Sequence, residues 1–156
     1  MYLRALFASI CLALSVPAIA DTLGCPDLST AVQVNACPTE EELQYTFKGY
    51  CSDNARMYDK GEQVCTDFAL YRLKKNVSLW ETQDGRFAGY VSCETASVPL
   101  ARGRAVSLAV SQQGSVTRVA CGYDVGVTFT HRTKAKCKAV VADCGAAPGS
   151  CKAECE

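Results

Sequence analysis

The chain has 156 residues, with 16 basic and 16 acidic side chains, one histidine and 11 cysteines. That balance excludes the strongly basic character of a general nucleic-acid or membrane-surface binder. A single histidine excludes any two-histidine mechanism, such as paired acid–base cleavage of RNA, and the length suits one domain with its own core.

Residues 1–20 read as a secretory signal peptide. Arg4 is the only charge, an apolar and small-residue run extends from Ala5 to Ser15, and Pro17 breaks it before Ala18-Ile19-Ala20. A basic start, a short apolar middle and small residues at the cut are the marks of such a peptide. The run is well short of the roughly 20 residues that span a bilayer, and nothing after Ala20 approaches that length. The expected product is one disulfide-rich domain over 21–156, secreted or periplasmic, with no membrane span.

Cys11 leaves with the signal peptide. Cys25, Cys37, Cys51, Cys65, Cys93, Cys121, Cys137, Cys144, Cys151 and Cys155 remain, an even set as full pairing requires. Disulfides persist in oxidising compartments, so five bridges are expected, with their connectivity open. In the tail only Cys151 and Cys155 stand at a spacing usual for structural zinc. Disulfides are therefore expected there rather than a metal, and no cofactor motif is present.

Along the chain, 21–37 reads as a loop-rich arm. Thr39-Glu40-Glu41-Glu42 has the form of a helix capping box, but Leu43, Tyr45 and Phe47 alternate at the strand period, and 42–48 is read as a strand. Residues 51–62 read as a surface loop. Over 63–75 a helix is expected: Val64, Phe68 and Tyr71 share a face, Asp67 precedes Lys74 and Lys75 as the helix dipole favours, and Asn76 stops it.

A repeat follows. Val77-Ser-Leu-Trp-Glu-Thr-Gln-Asp-Gly85 aligns without gaps on Val106-Ser-Leu-Ala-Val-Ser-Gln-Gln-Gly114, with five of nine positions identical. Each segment leads through an apolar-rich stretch to a cysteine, Cys93 or Cys121. Two related hairpins are expected, 77–93 and 105–122, with Asp84-Gly85 in a type I′ turn and Gln113-Gly114 in a similar one. A further strand is expected over 126–138, extended by 139–142. The tail 143–156 is too rich in Gly, Ala and Pro for a regular element and is pinned by its cysteines. The fold class is α+β: one helix packed on an antiparallel sheet of about five or six strands.

Candidate functional residues are few. His131 with Arg132 and a carboxylate could cleave a phosphodiester, but no G-x-S-x-G elbow accompanies any serine, and His131 has the context of an ordinary sheet position. Trp80 falls opposite Gly89 in the expected register, where covering a strand glycine is its packing role. Asn76-Val77-Ser78 matches an N-glycosylation triplet.

The leading feature is electrostatic. Arg132, Lys134, Lys136 and Lys138 occupy alternate positions, which an extended strand projects from one face. Charge is also divided along the chain: 21–100 carries 7 basic and 12 acidic residues, net −5, and 101–156 carries 8 and 4, net +4. An ordinary role is available, since lysines on an edge strand prevent sheet-to-sheet association. The expected function is non-enzymatic binding through this cationic strand face, as an inhibitor, immunity protein, effector or surface-recognition module. Its partner would be a protein or an anionic polysaccharide, not nucleic acid. The alternatives are a small secreted hydrolase centred on His131 and a structural envelope component.

Overall fold

The computed structural model describes residues 21–57, 63–94 and 97–156, so the signal-peptide expectation lies outside the described residues. The fold is α+β. Its strands are Asp21–Gly24 (β1), Val32–Gln33 (β2), Val77–Glu81 (β3), Ala88–Ser92 (β4), Ala105–Gln113 (β5), Val116–Tyr123 (β6), Thr128–Thr133 (β7), Cys137–Val141 (β8) and Lys152–Cys155 (β9). Its helices are Glu40–Tyr50 (α1), Asn54–Met57 (α2), Phe68–Lys75 (α3) and Ser97–Ala101 (α4). The strands form two antiparallel sheets, one in the order β2-β3-β4-β7-β6-β5 and the other β1-β9-β8.

Period-two alternation places Val91, Leu108, Val119, Cys121 and Phe129 on one face of the larger sheet, where they share a core with Leu23 and Ala153 of the smaller sheet. Phe129 is fully buried, which alone is worth roughly 2–3 kcal/mol of transfer free energy. A Cβ on Gly89 would stand 3.0 Å from the Phe129 ring and 2.5 Å from the Thr128 carbonyl oxygen, so β4 must carry glycine there for β7 to approach. Tyr123 sits at the rim of this core, and its hydroxyl donates to the Pro26 carbonyl at 2.7 Å. Burial pushes its ionisation well above the ordinary phenol range, with Asp27 adding to the effect.

Residues 42–48 are helical, not a strand. The capping box decides it: the Glu42 amide donates to Thr39 Oγ1, and the Thr39 amide donates to Glu42 Oε2. Leu43 and Phe47 are four apart as well as alternate, so the same residues serve a helix face while Tyr45 projects into solvent, 80 % exposed. Leu43 packs with Tyr71, Cys51, Phe47 and Phe68 in a second, smaller core. The aromatic rings meet edge-on, Phe47 lying 5.4 Å from Phe68 and 5.2 Å from Tyr71. α3 begins one residue after its Asp67 cap, and Gln63–Cys65 forms a separate 3₁₀ turn. The expected loop 51–62 includes α2. Asn76 ends α3 as expected and is largely buried, 8 % exposed.

Both hairpins form, with Leu79 opposite Tyr90 and Trp80 opposite Gly89 as the register requires. Trp80 packs against the core, and its indole N–H donates to Ser78 Oγ. The turns differ from those expected. Gly85 has φ +66°, but Asp84 does not have positive φ, so this is no type I′ turn. A four-residue loop closes it, the Gly85 amide donating to the Thr82 carbonyl and the Thr82 amide to the Phe87 carbonyl. In the second hairpin Gln113 pairs with Val116, so Gly114-Ser115 forms the turn with positive φ at Gly114 alone, the requirement of type II′. The faces also invert. Ser78 is buried in β3, whereas in β5 its counterpart Ser107 is exposed and Leu108 is buried.

The expected strand over 126–142 bends at Lys134-Ala135 and changes sheet, leaving β7 in one and β8 in the other. The tail is not wholly irregular: β9 is the central strand of the smaller sheet. The ten cysteines among the described residues all pair, as Cys25–Cys121, Cys37–Cys93, Cys51–Cys65, Cys137–Cys155 and Cys144–Cys151. The first three bridges nest inside one another, the last two form a second nested set, and no bridge crosses another.

Candidate anion-binding face

Arg132, Lys134, Lys136 and Lys138 are all exposed, and the residues between them are half-buried, so the alternation survives the change of sheet. Their surroundings do not stay alike. Lys136 exchanges two backbone hydrogen bonds with Glu156, both 2.9 Å, and Lys138 is directly opposite Glu154. Each of these lysines therefore has a carboxylate as its cross-strand neighbour, the favourable arrangement on a sheet. Arg132 has the opposite neighbour. It stands directly across from Arg118 of β6.

The turn that follows β6 creates this pairing. The Gly126 amide donates to the Tyr123 carbonyl, Gly126 has positive φ, and the reversal brings 118 onto 132. Side chains directly opposite in an antiparallel pair start only about 4.5–5.5 Å apart at Cβ, and like charges there are destabilising. Among the described residues the arginines in ion pairs are Arg72, with Glu40 and Glu94, and Arg86, with Asp21. Arg118 and Arg132 have no carboxylate partner among the described residues. Both are exposed and keep their guanidinium donors free for a ligand.

These arginines lie on the solvent face of the six-stranded sheet, the face opposite the core. The next row of the sheet is Ala88, Thr130 and Ala120, joined through the registers of β4, β7 and β6. Ala88 and Thr130 of this row line a shallow depression of about 360 Å³ beside Arg118 and Arg132, with Leu79 and an exposed Tyr90 at its far end. The Thr130 hydroxyl donates to the Ala88 carbonyl and so is engaged within the sheet. The arrangement offers two forked cationic donors, a flat floor and an aromatic side chain. It is suited to holding carboxylates or sulfates against a surface.

His131 belongs to the other face. Its Nδ1 lies 2.7 Å from the Arg86 carbonyl, which can only accept, so Nδ1 carries the hydrogen. Its ring leans on Phe87 at 5.6 Å. Adjacent residues of a strand point to opposite faces, so His131 and Arg132 do not converge on one site. Among the described residues no group of three His, Cys, Asp or Glu side chains could hold a metal ion.

Arg118 was not among the residues singled out from sequence. Its signal was non-local: a turn at 124–126 followed by counting back along both strands finds it. Comparison with protein-family models, with curated proteins and with solved structures finds no match to this chain.

Proposed function

We propose that this is a non-enzymatic binding protein of an oxidising compartment, which engages an acidic partner through the solvent face of its six-stranded sheet. One observation carries the reading: Arg118 and Arg132 are directly opposed, with no carboxylate among the described residues to neutralise them. A like-charge pair costs the free protein stability, and a bound anion removes that cost. Five disulfides fit an exported setting, and no helix among the described residues is long and apolar enough to cross a membrane. The cationic surface is thus narrower than the four-residue stripe. It centres on Arg118 and Arg132, extends to Lys134, and excludes Lys136 and Lys138, which already face Glu156 and Glu154.

The test compares two double charge reversals, Arg118→Glu with Arg132→Glu and Lys136→Glu with Lys138→Glu. The probes are a labelled acidic peptide and a sulfated polysaccharide, measured at low salt. The arginine variant should lose at least tenfold in affinity for whichever probe the wild type binds, and the lysine variant should lose little. Wild-type binding should also weaken with salt, since the screening length falls to about 3 Å at 1 M. Equal binding by the arginine variant and the wild type would overturn the reading.

A further inference from the structure

β5 is an edge strand of the six-stranded sheet, and half of that edge has no backbone hydrogen-bond partner among the described residues. In an antiparallel pair closed by a two-residue turn, the residues flanking the turn exchange both hydrogen bonds, and such pairs alternate along the ladder. Gln113 and Val116 flank the turn. Gln113, Ser111 and Ala109 therefore point their backbone groups at β6, and Gln112, Val110 and Leu108 point theirs outward. The fold agrees at Leu108, whose amide donates to the Ala142 carbonyl at 2.7 Å, beyond the strand's outer edge. Cys144 makes the neighbouring bond to the Val106 carbonyl, and Ser107 forms a bridge with Asp143. This cover stops at Leu108. Among the described residues no backbone partner reaches the outward N–H or C=O of Val110 or Gln112.

Proteins usually guard such an edge with charge, proline or a bulge. Ala109-Val-Ser-Gln-Gln113 has no charge and no proline, and the bulge of β5 lies earlier, between Ala105 and Ser107. The edge also sits beside the arginines. Ser111 is opposite Arg118, which is opposite Arg132, so one row of the solvent face reads Arg132, Arg118 and Ser111, where the six-stranded sheet ends. A strand added at β5 would place a side chain next in that row, about 10 Å from Arg118 at Cα by two strand spacings. A glutamate and an arginine reaching toward each other span that gap.

We propose that the partner is a protein whose extended, acidic segment adds as a seventh strand to β5, its backbone pairing with Val110 and Gln112 and its carboxylates facing Arg118. This rests on the acidic-partner reading above and deepens it. Strand addition of this kind takes affinity from backbone hydrogen bonds and specificity from alternate side chains.

The probe is a labelled octapeptide of alternating Glu and Val, which presents its acids on one face when extended. It should bind the wild type and slow amide exchange at Val110 and Gln112. Gln112→Pro removes an outward N–H without touching the β6 ladder and should weaken the peptide at least tenfold, while binding of a sulfated polysaccharide stays unchanged. Methylating alternate peptide amides should weaken binding to the wild-type protein, a measurement that stands even if Gln112→Pro does not fold. Full-strength binding of both the methylated peptide to wild type and the plain peptide to a folded Gln112→Pro protein would overturn strand addition. So would polysaccharide binding lost in Arg118→Glu, Arg132→Glu with no peptide binding at all, an outcome that leaves the acidic-partner reading intact. A concentration-dependent dimer abolished by Gln112→Pro, without peptide binding, would instead assign the edge to a second copy of the chain.

Discussion

A Cβ added at Gly85 or Gly114 would meet no atom within 4 Å, so only backbone conformation opposes a side chain at either turn. Both residues hold positive φ, where an L-residue costs roughly 1–2 kcal/mol. Gly85→Ala and Gly114→Ala should each lower stability by about 1 kcal/mol in denaturant melts; wild-type midpoints would contradict the turn geometry. Within the first turn, Asp84 accepts from the Thr82 hydroxyl at 2.6 Å and from the Arg86 amide at 3.1 Å. These bonds, the Thr82 hydroxyl foremost, hold its carboxyl below the ordinary carboxylate range. Because the folded value is the lower one, the stabilisation is present above the ordinary carboxylate value of about 3.9 and is lost as pH falls through the folded value. Asp84→Asn should therefore show a shallower loss of stability below about pH 4 than the wild type in a series of acid melts.

At the scale of elements, α1 depends on its first turn. Thr39→Ala removes the hydroxyl that accepts from the Glu42 amide and should cost about 1 kcal/mol. Exchange of the 40–50 amides should quicken, and unchanged rates would show that packing of Leu43 alone holds the helix. The capping box was legible in the sequence, but Leu43, Tyr45 and Phe47 satisfied a strand as well. A short apolar run with two valid periods is decided by what caps it and what it packs on, and Tyr71, its partner here, is distant in the chain. The first hairpin's register was legible because the pairing is local. The second hairpin was legible, but its turn lay one residue later than Gln113-Gly114 suggests. The alternating cations were legible too, but not the bend at Lys134-Ala135 or the neighbours on either side of it. Glu154 and Glu156 arrive from the tail and Arg118 from another hairpin, so only tertiary pairing separates neutralised cations from free ones.

At the scale of the whole molecule α1 and α3 have a core of their own, separate from the one the sheets share with Leu100 of α4, and the two parts are linked by chain, by Cys37–Cys93 and by the Arg72–Glu94 ion pair. Cys51–Cys65 closes a short loop within the helical unit, with a separation of 14 residues, and a loop of that size is worth about 3 kcal/mol in a chain-entropy model. Replacing both cysteines with alanine should speed amide exchange over 40–75 and leave Val119 and Phe129 protected; equal loosening of both regions would mean a single cooperative core. The nested bridges also constrain how the molecule is made. A chain that emerges N-terminus first presents Cys25, Cys37, Cys51, Cys65 and Cys93 before Cys121, the partner of Cys25, has emerged. Of the five native pairs, only Cys51–Cys65 and Cys144–Cys151 join cysteines that are consecutive in the chain. An oxidase working in order of appearance would thus link Cys25 to Cys37 and trap both. Maturation then becomes a problem of shuffling rather than of oxidation, since such wrong early links must be undone by thiolate attack before the nested pairs can close. Wherever the chain folds under oxidising conditions, its yield would follow the supply of disulfide isomerase more closely than that of oxidant.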